Sequence, residues 1–380
     1  MTRIRIPVAP PPPADYDVIV EPGVLGRLPA LVKEAAPAFR YAVVADDAVA
    51  ALYGAGVLDG LAAAGIRASL HTFRAGEARK TREVWARLTD ALLGEGLARD
   101  GAVIALGGGV TGDLAGFIAA TYMRGIPVVQ VPTSLLAMVD ASVGGKTGVD
   151  TPAGKNLVGA FHPPRIVIAD PAVLQTLPEA EFRNGMAEAV KHGAIADARY
   201  LRWIEGAAAA LLRREPRPLA RLIRRSVRIK AGFVARDLRE AGPRQALNFG
   251  HTIGHAIESV TDFGISHGAA VAIGMVAEAA AGESVGVTAP GAAASLRGVL
   301  QRFDLPVELP DGTAPRAVLE AARSDKKARR GHARYTLLAR IGEVARTEAG
   351  EWAFRLEPGR LEGVLSALQR RTDRSFGGMC

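Results

Sequence analysis

Three histidines lie close together in the C-terminal half of this 380-residue chain: His251 and His255 in Asn248-Phe-Gly-His251-Thr-Ile-Gly-His255, and His267 in Ser266-His267-Gly268. On a helix, His251 and His255 fall one turn apart on a shared face. Such a pair is either half of a zinc site or two surface or satisfied core histidines. The H-x-x-x-H spacing lacks the internal Glu of a metalloprotease helix, which excludes that hydrolysis. Cys380 is the only cysteine, so the chain has no intrachain disulfide and no thiolate knuckle. A catalytic zinc would therefore need a third nitrogen or oxygen ligand and one position left open for substrate. A carboxylate is available in Gly185-Met-Ala-Glu188-Ala-Val-Lys191-His192, where Glu188 and Lys191 share a helical face. That pair also reads as a plain i,i+3 ion pair.

A second chemistry-bearing stretch is Ala102-Val-Ile-Ala-Leu-Gly-Gly-Gly-Val-Thr-Gly-Asp113. A short apolar strand there runs into a glycine-dense turn that opens a helix, the way backbone amides are brought against a phosphate. Gly107, Gly109 and Gly112 stand at G-x-G-x-x-G spacing, which fits either dinucleotide binding or a tight turn needing small residues for packing. The acidic residue expected about 20 positions further on, to hold the ribose, is missing. Lysines stand beside glycines again in Asp140-Ala-Ser-Val-Gly-Gly-Lys146-Thr and Gly154-Lys155-Asn156. Glycines admit the backbone and lysines neutralise phosphate. Asp140 occupies the first-glycine position of G-x-x-x-x-G-K-[ST], which disfavours a nucleotide phosphate loop.

These residues need a scaffold, and the rest of the chain supplies the signals of one. Hydrophobic residues make up 49% and charged residues 23%, the profile of a folded soluble enzyme. No apolar run reaches the roughly 18 to 20 residues of a membrane span. The start, Met1-Thr-Arg-Ile-Arg-Ile-Pro, lacks the apolar segment of a secretion signal, so a cytoplasmic location is expected. From residue 41 to about 176, strand-length apolar runs alternate with helical segments, the pattern of a parallel sheet covered by helices. Strands are expected at Tyr41–Ala45, Ala68–Phe73, Ala102–Leu106, Val128–Val131 and Ile166–Ala169, with Tyr16–Val20 following a proline tract and a short N-terminal strand. After Leu177-Pro178 the sequence turns to alanine-rich helical stretches, with strands expected only at Tyr335–Ala339 and Glu343–Ala345. Two domains are thus expected, an α/β domain over 1–177 and a helical domain over 178–380. The tail from Gly377 reads as frayed.

In the helix expected from Pro218 to Arg239, Lys230 falls on the apolar stripe of Ile223, Val227 and Val234. It either snorkels to the surface or points into a cleft. The net charge of +8 is densest in Arg323-Ser-Asp-Lys-Lys-Ala-Arg-Arg-Gly-His-Ala-Arg334, a solvated face or a contact for an anionic substrate. Without interleaved aromatics to stack on bases, that patch argues against nucleic acid.

In family order, Gly-Gly-Gly-Val-Thr-Gly-Asp113, Ala120-Thr-Tyr-Met-Arg-Gly125, Val131-Pro-Thr-Ser-Leu-Leu-Ala-Met-Val-Asp140, Gly144-Gly-Lys-Thr, Gly154-Lys-Asn-Leu-Val-Gly-Ala-Phe161 and Asn248-Phe-Gly-His-Thr-Ile-Gly-His255 resemble the 3-dehydroquinate synthases. The resemblance runs from about Tyr41 to Ala345. It implies a Rossmann-like NAD-binding N-terminal domain, a mainly helical C-terminal domain carrying Zn2+ or Co2+, and an active site between them. It implies conversion of 3-deoxy-D-arabino-heptulosonate 7-phosphate to 3-dehydroquinate and phosphate, with NAD recycled.

By the same resemblance the metal ligands are Glu188, His251 and His267. Asp140, Lys146, Lys191, Glu240 and His255 are implied as catalytic, with Asp140 and Glu240 equally readable as structural partners of nearby lysines. Lys155, Asn156, Lys230, Arg244, Asn248 and Lys326 are implied as substrate-binding. Arg124 is implied to reach the substrate phosphate from a partner subunit, hence a homodimer. Cofactor positions are Asp46, Glu77, Lys80, Gly108, Gly109, Asp113, Thr133, Ser134, Leu136 and Thr176, with Asp46 taking the ribose role that is absent downstream of the glycines. Departures are Ser134 and Ala141, where Thr and Ser are frequent, and Asp150 in place of a frequent Asn. Among related cyclases, those making 2-epi-5-epi-valiolone or 2-deoxy-scyllo-inosose act on substrates without a carboxylate, whereas the amino-dehydroquinate variant stays open as an alternative. Lys230, Arg244 and the intact lysine segments favour the heptulosonate reaction.

Overall fold

The structure, a computed structural model, describes residues 15–324 and 333–369. Its frame is a six-stranded parallel sheet of β1 (Asp17–Val20), β2 (Tyr41–Asp46), β3 (Ala68–Phe73), β4 (Ala102–Gly107), β5 (Val128–Pro132) and β8 (Ile166–Ala169), in the order β1-β8-β5-β4-β2-β3. Each inner strand is buried on both faces, which is why its sequence is a continuous apolar run. Tyr41, Val43 and Ala45 enter the core on one side of the sheet, and Ala42 and Val44 the core on the other. From β2 the chain goes outward to β3, then crosses over to β4 on the opposite side of β2. The C-terminal ends of β2 and β4 therefore border the crevice where parallel sheets receive ligands.

The glycine turn feeds α1 (Gly109–Thr121). Between β5 and β8 the chain forms a separate antiparallel ribbon, β6 (Lys146–Thr151) and β7 (Gly154–Phe161), with Lys146 opposite Phe161 and Thr147 opposite Ala160. Sequence periodicity missed this ribbon because its glycines and lysines suppress the apolar alternation that signals a strand.

The C-terminal half is built around α2 (Glu179–Ala196), α3 (Ala198–Gly206), α4 (Pro216–Val234), α5 (His251–Val260) and α6 (His267–Ser284). Nearly every residue of α2 from Phe182 to Ile195 is buried, Glu188, Lys191 and His192 included. Helix α5 crosses α6 with backbones in contact, since a Cβ on Gly274 would lie 2.0 Å from the carbonyl oxygen of Gly250. On Gly268 it would lie 2.5 Å from Cα of Asn184 in α2. These glycines set the separation of the three helices that carry Glu188, His251 and His267.

Several boundaries differ from expectation. Helix α4 stops at Val234, short of Arg239, because Asp237 accepts hydrogen bonds from the amides of Ala241, Gly242 and Arg244 and folds the following residues into a loop. The strand expected over Tyr335–Ala339 begins only at β9 (Leu338–Arg340), paired with β10 (Glu343–Val344), while Tyr335 makes a single bridge to Phe354. The expected strand before the proline tract and the tail from Gly377 lie outside the described residues. No helix among the described residues is long and apolar enough to cross a membrane.

Candidate active site

Glu188, His251 and His267 converge, each offering a ligand atom within 4.8 Å of the others. His251 and His267 are the first residues of α5 and α6, and Glu188 projects from the middle of α2. Nε2 of His251 lies 3.4 Å from Glu188 Oε1, and Nε2 of His267 lies 3.6 Å from the same oxygen. Nδ1 of His251 faces the Phe249 carbonyl at 3.2 Å, and Nδ1 of His267 faces Glu258 Oε2 at 3.4 Å. Acceptors at both Nδ1 atoms favour the tautomer that carries the lone pair on Nε2, the form a metal takes. Both Glu188 oxygens are buried without a well-directed hydrogen bond, even though the Lys191 ammonium abuts Oε2. Burial opposes the Glu188 charge, but Lys191 and His251 outweigh it and hold the carboxyl well below its usual range. A buried carboxylate with orphaned oxygens and two aimed imidazoles is a donor set that fits a divalent zinc-like cation. His255 shares the α5 face with His251, lines the adjoining cleft, and with Glu258 and His267 forms a second group whose ligand atoms lie within 4.8 Å of one another.

That cleft, about 950 Å³, is bordered by Asp113, Asp140, Lys146, Asn156, Lys230, Glu240, Arg244, Asn248 and His255. Asp140 sits on a π-helical turn, Ala137–Ala141, a distortion frequent at functional sites. Lys230 does not snorkel: it is buried, with Nζ 2.9 Å from Asp140 Oδ2 and 2.7 Å from the Asp140 carbonyl. Burial lowers the Lys230 pKa against the pull of Asp140. Asp140 itself is held well below its usual value, because Lys230 and Lys191 override the cost of burial.

Arg244, 2% exposed, donates to the carbonyls of Leu238 at 2.6 Å and Gly144 at 3.3 Å. Gly144, at φ +102°, is needed there because a Cβ would lie 2.5 Å from the guanidinium. Glu240 is taken up by Lys146 and by Asn248, whose amide donates at 2.6 Å. Lys155 reaches toward Glu258 at 3.5 Å and over the Phe263 ring at 4.4 Å.

The glycine turn divides by function. A Cβ on Gly107 would meet Thr111 at 2.4 Å, on Gly112 it would meet Gln130 at 2.8 Å, and on Gly116 it would meet Thr147 at 2.4 Å. Those three are packing positions. Gly108 and Gly109 meet nothing closer than 3.4 Å, and the α1 N-terminus has no side-chain cap. Its first amides form an open cradle for an anion. Asp46, at the end of β2, accepts from the Thr111 hydroxyl at 3.1 Å and caps Val49 at 2.9 Å, so it stands across the crevice from the glycines. The Thr133 amide donates to Gly107 at 2.9 Å, which places Thr133, Ser134 and Leu136 on the same edge. This arrangement fits a dinucleotide.

Lys80 is buried and bridges Asp113 at 2.6 Å and Asn156, joining the sheet to the ribbon. Burial works against its charge, yet Asp113 and Glu77 raise its pKa. Glu77 opens the short turn leading to Lys80, and Thr176 bonds Tyr53 at 2.6 Å on the segment following Asp46. Asp150 has a structural task, accepting from the Asn156 amide at 2.7 Å and so shaping the ribbon turn. Arg124 is exposed and absent from the cleft lining of its own chain. Lys326 lies outside the described residues.

Sequence reasoning missed three groups. Glu258, three residues after His255 on the α5 face, joins His267 to Lys155; the i,i+3 spacing signalled it. Glu278 accepts from the amides of Gly250 at 2.8 Å and Ile253 at 3.3 Å, and so caps the start of α5 from α6. His192, fully buried, has Nε2 3.4 Å from Asp140, and burial keeps the ring neutral.

Family models described as 3-dehydroquinate synthase N-terminal and C-terminal match residues 70–184 and 185–328. The 3-dehydroquinate synthase of Symbiobacterium thermophilum is 46% identical over 357 residues, covering 93% of this chain and 98% of that one. This chain belongs to the 3-dehydroquinate synthase family. A further family member, from Xanthomonas axonopodis pv. citri, is 47% identical over 341 residues, covering 87% of this chain and 91% of its own length. The fold is similar to a 2-epi-5-epi-valiolone synthase from Streptomyces hygroscopicus subsp. jinggangensis 5008 with NAD+ and Zn2+ bound, at TM-score 0.86 and 30% identity over 96% of this chain and 99% of that one. It is also similar to a 2-deoxy-scyllo-inosose synthase complexed with carbaglucose-6-phosphate, NAD+ and Co2+, at TM-score 0.83 and 25% identity over 92% of this chain and 96% of that one.

Proposed function

We propose that this chain is a carbon–oxygen lyase that converts 3-deoxy-D-arabino-heptulosonate 7-phosphate to 3-dehydroquinate and phosphate. The observation that carries this reading is the placement of one cleft, lined by the buried Lys230 and Arg244, beside both the Glu188, His251 and His267 cluster and the glycine cradle. When bound, NAD supplies a reversible hydride acceptor, and a divalent metal supplies Lewis acidity toward substrate hydroxyls. Glu188, His251 and His267 would hold the metal, while Asp46, Glu77, Lys80, Gly108, Gly109, Asp113, Thr133, Ser134, Leu136 and Thr176 would serve the cofactor.

The chain's own residues suit a substrate with two anionic ends. Lys230 and Arg244 are buried cations fixed by Asp140 and by backbone carbonyls, which suits a carboxylate that must be held in one orientation. Lys146, Lys155 and Asn156 lie on the ribbon, where they receive the phosphate, with Asn248 and Lys326 completing the set. Lys191 keeps Glu188 and Asp140 ionised. Elimination of phosphate requires a group that can hold a proton beside the leaving oxygen, and His255 takes that role from the cleft wall. Glu240 orients Lys146 and Asn248.

Arg124 follows Met123, and both have positive φ, 67° and 50°, which turns the Arg124 backbone out of α1 at the surface. Completion of the phosphate site by Arg124 of a second copy makes the working form a homodimer. The test supplies purified protein with the heptulosonate phosphate, a trace of NAD and Zn2+, and follows phosphate and dehydroquinate. Equal release of both without accumulating NADH absorbance is expected. No product under these conditions sinks the reading, and steady NADH formation would assign a dehydrogenase instead.

A further inference from the structure

The stretch from Pro216 to Arg236 contains seven basic residues and no acidic one. Its inner face, Leu219, Leu222, Ile223 and Val227, is buried in the helical core, and Lys230 serves the cleft. Its outer face carries Arg217, Arg221, Arg224, Arg225 and Arg228, spaced so that neighbours one turn apart repel. None of these outer arginines belongs to the active site.

Four of them, together with Asp197, Arg199, Tyr200 and Trp203 of the α3 segment, line a separate pocket of about 440 Å³. Five guanidiniums face one carboxylate there, and that carboxylate is already occupied. Asp197 caps α3 by accepting from the amides of Arg199 at 3.1 Å and Tyr200 at 3.0 Å, and it grips the Arg225 fork through Nε at 2.7 Å. Arg221 is held as well, its guanidinium 4.4 Å from the centre of the Trp203 ring. Trp203 stacks on Tyr200 at 6.0 Å, and the Tyr200 hydroxyl is anchored in the core to the Leu222 carbonyl at 2.9 Å and Ser226 at 2.8 Å. Among the described residues, Arg199, Arg224 and Arg228 have no carboxylate within 4.0 Å.

A solvated helix face spreads its charges and borrows carboxylates from its neighbours. This pocket is concave, gathers cations from two helices, and fixes two of its guanidiniums on Trp203 and Asp197. Planar forks held in place match phosphoryl oxygens two at a time. Three further forks without carboxylates call for several closely spaced negative charges. We propose that this pocket binds a small anion carrying two or more phosphoryl groups. Its size suits a small molecule, and its place on the outer face of α4 puts the ligand on the helix whose inner face delivers Lys230 to the cleft.

The test titrates the metal- and NAD-loaded enzyme calorimetrically with tripolyphosphate, using inorganic phosphate and a 20-base-pair DNA duplex as separate arms. One saturable tripolyphosphate site is expected in the wild type and in the cleft variant Lys146→Ala, at least tenfold weaker in Arg224→Ala/Arg228→Ala. Inorganic phosphate is expected to bind at least tenfold more weakly. Alanine and glutamine both suit an exposed helix, so Arg224→Gln/Arg228→Gln serves as the second variant if the first unfolds. Loss of binding in Lys146→Ala with retention in the arginine variants would move the site to the cleft. Absence of saturation at about 1 mM tripolyphosphate, or an arginine-dependent duplex complex without tripolyphosphate binding, would overturn the proposal.

Discussion

The two walls of the cleft are built from opposite materials. The sheet-side wall is backbone: uncapped amides at Gly108 and Gly109, with Gly107, Gly112 and Gly116 recessed to let Thr111, Gln130 and Thr147 close in. The helix-side wall is side chains: buried carboxylates, imidazoles and lysines whose charges depend on one another. A backbone wall loses function when any Cβ is added at its surface, and it loses stability when one is added behind it. A side-chain wall fails charge by charge, since each group is stabilised by the others.

The sharpest break between the walls is Glu188→Gln. It should lower kcat by more than about 100-fold, beyond what outer groups of a metal site contribute, and release bound metal in the same samples. Glu258→Gln should follow at about 10- to 100-fold in metal affinity, with a raised KM because Lys155 loses its partner. Elemental analysis and steady-state kinetics check both, and normal activity in metal-free Glu188→Gln would discard the ligand assignment.

On the opposite wall, Gly107→Ala should cost about 1–3 kcal/mol through overpacking against Thr111. Gly109→Ala should leave the melting curve unchanged while raising the KM for NAD. Equal effects of the two substitutions on stability would erase the distinction between packing and cradle glycines.

The smallest expected effect is a pH slope confined to the helical wall. Burial opposes protonation of His267, but the adjoining Glu188 and Glu258 carboxylates override it and push its pKa up to about 9. A raised pKa gives stability that is complete below the unfolded value of 6.5 and lost as pH rises through about 9. Urea melts of chelator-treated protein should therefore weaken over that window, and His267→Gln should flatten the slope.

The parallel sheet was legible because strands buried on both faces are written as unbroken apolar runs, and the ends of β3 and β8 matched the expectation residue for residue. Lys230 was legible as an anomaly on an apolar stripe, though only its contact with Asp140 decides between surface and cleft. The roles of Glu258 and Glu278 were not, because a buried acid on a helix looks the same in sequence as a solvated one. Their partners, His267 and the start of α5, are brought to them only by the close crossing of helices at Gly250 and Gly274. The literal G-x-G-x-x-G match misled in detail, since Gly107 and Gly112 serve packing and only Gly109 faces the open cradle.

The ribbon acts as a gauge. Lys146 begins one of its strands, and Lys155 and Asn156 sit just past its turn, so the two cationic stations are separated by about four strand residues, roughly 13 Å of paired backbone. Hydrogen-bonded strands resist stretching, and Lys80 and Thr147 pin the ribbon to the sheet side. The spacing of these backbone anchors is therefore a constant of the fold, and the flexible lysine stems swing from fixed points.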